Sequence, residues 1–427
     1  MSKLFASFND LCQKCFDGFI NFFRKHILLI VFIVLSILAL VMRILFFQYL
    51  SGDMASFLIP WTNFFKENGN FLALAKMNEC PNANYLYGYY NLLAFVSIFK
   101  GEPINLVKSI SVFFDFALAI GVSLVTYHFT KNKTTSLISY LATLYAPTVF
   151  ANSAVWGQCD QIYVCFVVYA FLLILKKKNI WATLVIGIAL GFKIQTIFIL
   201  PLLGFMWLNK KYRIWNLFML PLGFLITILP SYLVGGAFTA PFEAIGLQLG
   251  QYADMNYGSG SMYAFMEMGS LAECFNKGTA IIFAAAILLF VMFVLFYKKV
   301  ECNEQNIMYV AALYALLTPF VLPHMHERYF FMADIFILLY VIVRKKQYYL
   351  APLMIFSSIN TYTHFLTFTA VQVDGKWVAE HQYIFKFLGQ DSVRLSALIN
   401  LFILIVLFLN MKKLFNKENN ELTKTTK

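Results

Sequence analysis

YLYGYYNLLAFVSIF, residues 85–99, is the stretch on which the arrangement of the whole chain turns. It is apolar and aromatic, yet shorter than the ~17–25 residues that cross a bilayer as a helix. If it crossed, the basic clusters after it, at Lys131 and Lys133 and at Lys176, Lys177 and Lys178, would lie on the opposite side from Arg24 and Lys25. Read as a helix lying in the outer interface, it gives all the basic clusters one side, as expected when Lys and Arg mark cytoplasmic loops. Tyrosine suits such a place, with its ring buried and its hydroxyl wet.

Outward from that stretch the composition is that of a membrane protein. The 427 residues are 60% hydrophobic and 13% charged, with a mean hydropathy of +0.71. Soluble domains are about half apolar and roughly a quarter charged. The fold class expected is an all-α polytopic membrane protein. Its spans are near 27–50, 106–128, 135–150, 156–175, 180–191, 195–208, 214–235, 278–298, 306–322, 329–343, 348–368 and 393–411. That makes roughly twelve transmembrane helices, with both termini cytoplasmic and interfacial helices in the first external loop, 51–104. Residues 1–26 read as a cytoplasmic amphipathic lead with an apolar stripe (Phe5, Phe8, Leu11, Phe16, Phe19) and not as a cleavable signal. Residues 27–411 form the transmembrane domain, and 412–427 a polar cytoplasmic tail. The net charge of +12 sits in short gaps beside apolar runs, so it records orientation and excludes a nucleic-acid partner. No internal repeat of the kind common in transporters is visible. Cys12 and Cys15 lack the second pair a zinc ribbon needs, and Cys80 and Cys274 are external candidates for a disulfide.

On this map the polar outliers gather at outer turns. Asp53 opens the first external loop, just past the span that carries Arg43. Asp160 follows Trp156, Gly157, Gln158 and Cys159. Lys193 and Gln195 mark the next outer turn, and His324, His326, Glu327 and Arg328 a later one, in PHMHERYFF at 323–331. Charge at a membrane boundary is costly enough that it usually has a task. Each also has a bland reading. Asp53 could cap a helix from Met54, Asp160 and Lys193 could be a structural ion pair, and Asp115, in mid-span, could pin two helices together. His324 and His326 with Glu327 make a weak metal signal, since no third ligand stands at helical spacing.

Three of these turns carry a resemblance. NSAVWGQCDQIY, at 152–163, resembles the WGQ-x-D signature of membrane glycosyltransferases of the GT-C superfamily. It is most similar to bacterial proteins related to glycosylphosphatidylinositol mannosyltransferase II and to dolichyl-phosphate-glucose-dependent glucosyltransferases. Gly191-Phe192-Lys193-Ile194-Gln195 resembles that group's K-P-Q turn, with Ile194 in place of the proline. Met325-His326-Glu327-Arg328-Tyr329 resembles its M-H-E-R-Y turn. Asp53 stands where the superfamily carries its first-loop aspartate, and Asn84-Tyr85-Leu86 where relatives often carry Tyr-Pro-Pro.

The resemblance implies a hexosyltransferase that takes sugar from a polyprenyl-phosphate carrier and passes it to a cell-envelope glycan or glycolipid outside the bacterial plasma membrane. A lipid-borne donor explains an integral-membrane enzyme. The phosphate leaves as an anion, so positive charge from Arg328 with Lys193 or His324 is needed, and an acid is not. Fixed groups aimed at developing charge contribute ~3–4 kcal/mol each. Asp53 is the expected base, with inversion at the sugar carbon; retention would make Asp160, the other catalytic candidate, a nucleophile. Gln195, His326 and Glu327 complete the expected substrate site, with Trp156 packing on the sugar and Gln158 relaying Asp160 to a hydroxyl. No metal and no nucleotide-sugar cofactor is expected. Loops 236–277 and 369–392, with Tyr252, Tyr257 and Trp377, are expected to shape acceptor choice. The alternatives are a flippase for lipid-linked saccharides, which would use Asp115 on a mid-membrane path, and an acyltransferase built on His364.

Overall fold

The computed structural model describes residues 2–250, 254–266, 277–366, 370–373, 376–379 and 391–425. Tyr252 and Cys274, and with Cys274 the candidate disulfide to Cys80, lie outside these residues, as do the side chains of His364 and Trp377. Helix dominates. The first third of the chain holds α1 (Ser2–Leu45), a π-helical turn Met54–Leu58, α2 (Ile59–Glu67), a 3-10 stretch Asn70–Glu79, α3 (Tyr87–Val96), α4 (Pro103–Thr130) and α5 (Lys133–Leu144). The one-turn α6 (Pro147–Phe150) and a second π-helical turn, Ala151–Trp156, lead into α7 (Asp160–Leu175), α8 (Asn179–Phe192), α9 (Leu200–Leu208) and α10 (Met219–Leu233). Then come α11 (Ala240–Gly250), α12 (Lys277–Tyr297), α13 (Glu304–Val321), α14 (Phe331–Arg344), α15 (Leu350–Leu366) and α16 (Asp391–Thr425).

Among the described residues, five helical segments have the length and apolarity to cross a membrane: Asn9–Gln48, Pro103–Thr130, Ile214–Leu233, Lys277–Tyr297 and Asp391–Lys412. Asp160–Leu175, Asn179–Phe192 and Ile194–Leu208 are apolar but shorter. This is a helical membrane protein.

Three elements differ from the sequence expectation. The lead 1–26 and the first span are one 44-residue helix. No proline interrupts it, and it is about 66 Å long at 1.5 Å per residue, twice the hydrocarbon thickness. At the other end α16 runs on through residues 412–425. Third, α3 is a ten-residue helix whose Tyr87, Tyr89 and Tyr90 are buried, packed with Trp61 and Phe65 in an apolar cluster of the first loop. Its tyrosines are core residues instead of wet interfacial ones, because the loop folds back over them.

The fold is not wholly helical: strands of two to four residues tie loops together. β1 (Tyr49–Leu50) pairs antiparallel with β4 (Ala370–Val373), which pairs with β5 (Lys376–Ala379). β2 (Asn256–Tyr257) runs parallel to β3 (Met325–His326), with Tyr257 opposite His326. These straps tie residues 370–379 to the start of the first loop and residues 256–257 to the 325–326 turn.

What positions those turns is the core. Every residue from Asn306 to Val321 in α13 and from Phe331 to Val343 in α14 is buried, as expected of helices that are apolar all round. The turn 322–330 is therefore the tip of a central hairpin. α8 and α10 touch backbone to backbone: a Cβ at Gly187 would stand 2.3 Å from the Leu220 carbonyl oxygen, and one at Gly223 2.1 Å from that of Leu184. Such small-residue contacts bring membrane helices close, and they hold the end of α8, where Lys193 sits.

Asp115 has its partner. Arg43 Nε donates to Asp115 Oδ2 at 2.7 Å, and Ser153 Oγ donates to the same oxygen at 2.5 Å. Arg43 Nη2 reaches the Leu144 carbonyl at 2.6 Å. Neither charged side chain is exposed, and the pair locks α1, α4, α5 and the turn before Trp156 together.

Candidate active site

The site begins with the turn between α6 and α7. After the π-helical turn Ala151–Trp156 the chain reverses at Gly157, whose φ of +80° lies in the left-handed region; only glycine adopts it freely. The turn is anchored from three sides. Ser51 Oγ donates to the Trp156 carbonyl at 2.7 Å, Ser111 Oγ to the Gln158 carbonyl at 2.6 Å, and the Gln158 N–H to the Asn152 carbonyl at 2.9 Å. These bonds aim Trp156 and Gln158 at Asp53. Trp156 Nε1 donates to Asp53 Oδ2 at 3.0 Å, and Gln158 Nε2 donates to the same oxygen.

Asp53 is half-buried and occupies the position before the π-helical turn, but its side chain makes no capping bond. The capping reading therefore fails. Its Oδ1 accepts no hydrogen bond among the described residues, so one carboxylate oxygen is fixed and the other is open.

Asp160 has the opposite environment. It is wholly buried; Oδ1 accepts from Lys193 Nζ, and Oδ2 accepts from Asn152 Nδ2 at 3.0 Å and lies 3.6 Å from Arg328 Nε. Lys193, extended at the end of α8, also lies 5.7 Å from the centre of the Tyr329 ring. Arg328 Nη1 donates to Glu327 Oε1 at 2.6 Å, and its guanidinium carbon is 5.5 Å from the centre of the Trp156 ring. Burial opposes the charge on Glu327, but the neighbouring Arg328 and His326 outweigh it and hold the carboxyl below its ordinary range. Burial likewise opposes charge on Arg328, but Glu327, with Tyr85, Asp53 and Asp160, holds it a guanidinium. The Arg328 Nη2 group makes no hydrogen bond among the described residues.

A cavity of about 300 Å³ opens beside these cations. Lys193, Gln195, His324 and Arg328 line it with Tyr85, and Ile197, Ile281 and Leu322 are among its apolar walls. Behind them stand Asp160, bonded to Lys193; Trp156, under Arg328; and Gln158, whose Oε1 accepts from the Tyr85 hydroxyl at 3.1 Å. Burial holds the Tyr85 phenol well above its usual value, so it stays a donor. Glu327 and His326 do not line the cavity. Glu327 supports Arg328 from beneath, and the His326 ring stacks on Tyr257 at 4.9 Å. That stacking covers one face of Tyr257, which is partly exposed. Among the described residues no group of three His, Cys, Asp or Glu side chains is arranged to hold a metal ion.

The arrangement suits group transfer to or from a phosphate: cations line a cavity with apolar walls, and Asp53, which does not line it, is held with one oxygen open by Trp156 and Gln158 behind those cations. A model of glycosyltransferase family 87 matches residues 90–323, just over half of the chain. The chain belongs to glycosyltransferase family 87. No curated protein matches it significantly.

The family 87 match includes Trp156, Gln158, Asp160, Lys193 and Gln195, and leaves Asp53 and residues 324–328 to either side. The site thus unites side chains from inside and outside the matched region. Sequence reasoning missed several of its members. From sequence Tyr85 reads as an interfacial ring, and Asn152 has no role beyond its place in the 152–163 motif. Apart from the site, Asp334 has no role in the sequence reading, although it is buried in α14 and accepts from Ser358 Oγ at 2.8 Å. A carboxylate inside an apolar span is the signal that would have found it.

Proposed function

We propose that this family 87 glycosyltransferase is an inverting hexosyltransferase that takes mannose or glucose from a polyprenyl-phosphate carrier. The acceptor is a hydroxyl of an envelope glycan or glycolipid at the outer face of a bacterial plasma membrane. Twelve crossings with both termini in the cytoplasm, as the basic clusters require, would put the turns at 53, 160, 193 and 328 on that face. The motif likeness to proteins related to glycosylphosphatidylinositol mannosyltransferase II supports the choice of sugars.

One observation carries the reading: Asp53 and Arg328 share the indole of Trp156, the first at its N–H and the second over its ring. The donor phosphate would sit against Lys193 and Arg328, with the carrier tail along the apolar side of the cavity at Ile197 and Ile281. Asp53 takes the proton from the acceptor hydroxyl, and the hydroxyl oxygen bonds to the sugar C1. The C1–O bond to phosphate breaks, its electron pair leaving on the phosphate oxygen, where the cations stabilise it. A positioned base of this kind contributes ~10²–10⁴-fold. Asp160 suits neither base nor nucleophile, because its two oxygens are already held by Lys193 and Asn152; its task is to fix the cations.

The flippase alternative loses the residue it needed, since Asp115 is sealed against Arg43. Supplying the purified protein with radiolabelled decaprenyl-phosphate mannose or glucose and envelope acceptors tests the proposal. Release of decaprenyl phosphate with an inverted glycoside supports it. A retained configuration overturns the single displacement, and no turnover of either donor overturns the function.

A further inference from the structure

We infer that the acceptor enters along an open groove between the first external loop and α11, and that its reacting end is a phosphate-free saccharide. This rests on the transferase reading above. The groove has a volume of about 1110 Å³ and is lined by Phe57, Asn82, Asn84, Glu243, Gly246 and Leu247, with Ala83. It adjoins the donor cavity: Asn84 lines both, and its carbonyl accepts from Gln248 Nε2, a cavity-lining side chain, at 2.6 Å. Asp53 lines neither space; it is linked to the cavity through Gln158, which donates to it and accepts from the cavity-lining Tyr85, and Phe57, four residues on, lines the groove.

The lining chemistry selects among acceptors. Among the groove's described lining residues Glu243 alone is charged. The cations of the site, Lys193 and Arg328, line the cavity instead. A phosphodiester polymer laid in the groove would bring anions to a carboxylate with no counter-charge, which is unfavourable at contact distances. An aromatic ring with amide and carboxylate groups suits the apolar face and the hydroxyls of a neutral sugar. On α11, Glu243, Gly246 and Leu247 fall at helical spacing on one face, and all three are exposed.

Gly246 gives a clean test, because a Cβ built there meets no atom within 4 Å and its backbone is unstrained. Gly246→Trp would therefore fill the groove without disturbing the fold. In full-length protein, the probes are labelled decaprenyl-phosphate hexose with methyl glycoside oligomers of glucose, mannose and N-acetylglucosamine, and a glycerol phosphate trimer. Wild type should use a neutral oligomer and not the trimer. Gly246→Trp should raise the acceptor KM at least about tenfold, a difference of ~1.4 kcal/mol, and leave the donor KM unaltered. Glu243→Lys should improve use of the trimer. Preference of the wild type for the trimer, or an unchanged acceptor KM in Gly246→Trp, overturns the groove assignment while donor turnover leaves the transferase reading standing. If wild type consumes no donor, the transferase reading falls, and the groove assignment with it.

Discussion

Asp53 and Arg328, far apart in sequence, meet on one side chain: Trp156 gives its indole N–H to the Asp53 carboxylate at 3.0 Å and its ring face to the Arg328 guanidinium at 5.5 Å. Trp156→Phe keeps a ring for Arg328 and removes the donor to Asp53. A hydrogen bond to a charged group contributes ~1.5–3 kcal/mol, so transfer should fall roughly 10- to 100-fold with the donor KM little changed. Steady-state kinetics on purified protein checks this; transfer near the wild-type rate in Trp156→Phe beside a large loss in Trp156→Ala would deny the N–H a role of its own.

Asp160 and Lys193 form a buried pair, and breaking such a pair leaves an uncompensated charge at a cost of ~3–5 kcal/mol. Asp160→Asn and Lys193→Met should each lower stability by about that amount. The double variant should recover part of it, because no unpaired charge remains from the couple. Transfer should not recover, since the phosphate still lacks Lys193. Unfolding in detergent and transfer rates measured on the same four proteins separate the two effects.

Gly157 carries the turn that aims Trp156 and Gln158. Gly157→Ala would put a Cβ at a left-handed φ of +80° and 2.1 Å from Met54 Cε. The methionine can swing away, but the backbone strain stays, at ~1–2 kcal/mol. Thermal unfolding should show that loss, and Met54→Ala in addition should recover only the steric part.

Acid should weaken the fold through two groups at the 323–328 turn. Burial and the nearby Lys277 charge lower the His324 pKa, although the bond to the Asp254 carbonyl opposes them. Arg328 and His326 hold Glu327 low against its burial. A lowered folded pKa means that the unfolded chain binds more protons in the window between the two values, so stability rises with pH there. The contribution is complete above the unfolded value, ~6.5 for His324, and fades as pH falls through the folded one; that of Glu327 is lost below the ordinary carboxylate range. The melting temperature should drop on acidification below neutral pH, and His324→Gln should flatten the first part of the drop.

What could be read from sequence was mostly what depends on local composition. Apolar runs gave most helix positions from α4 to α15 to within about five residues, but not α11, which lies in the expected loop 236–277; the polar outliers Asp53, Asp160, Lys193 and Arg328 stood out because charge is rare in this chain. What depended on long-range pairing was hidden. Arg43 and Asp115 were each visible, but their union needs α1 and α4 side by side. The Tyr85 hydroxyl bonds Gln158 only because the first loop folds over the site. The strap from Tyr257 to His326 joins segments whose strands are two residues long, too short to show a period of two. The break expected near residue 26 was inferred from a change of amphipathic character, and a helix with no proline or strained glycine has no reason to break there.

The central claim is that Asp53 is the base that activates the acceptor. It is tested most directly by Asp53→Asn in the transfer assay with labelled decaprenyl-phosphate hexose, beside a melting curve of the same protein. The substitution keeps the shape that Trp156 and Gln158 hold, so the fold should persist while transfer drops at least about a hundredfold. Transfer near the wild-type rate by folded Asp53→Asn protein would contradict the account.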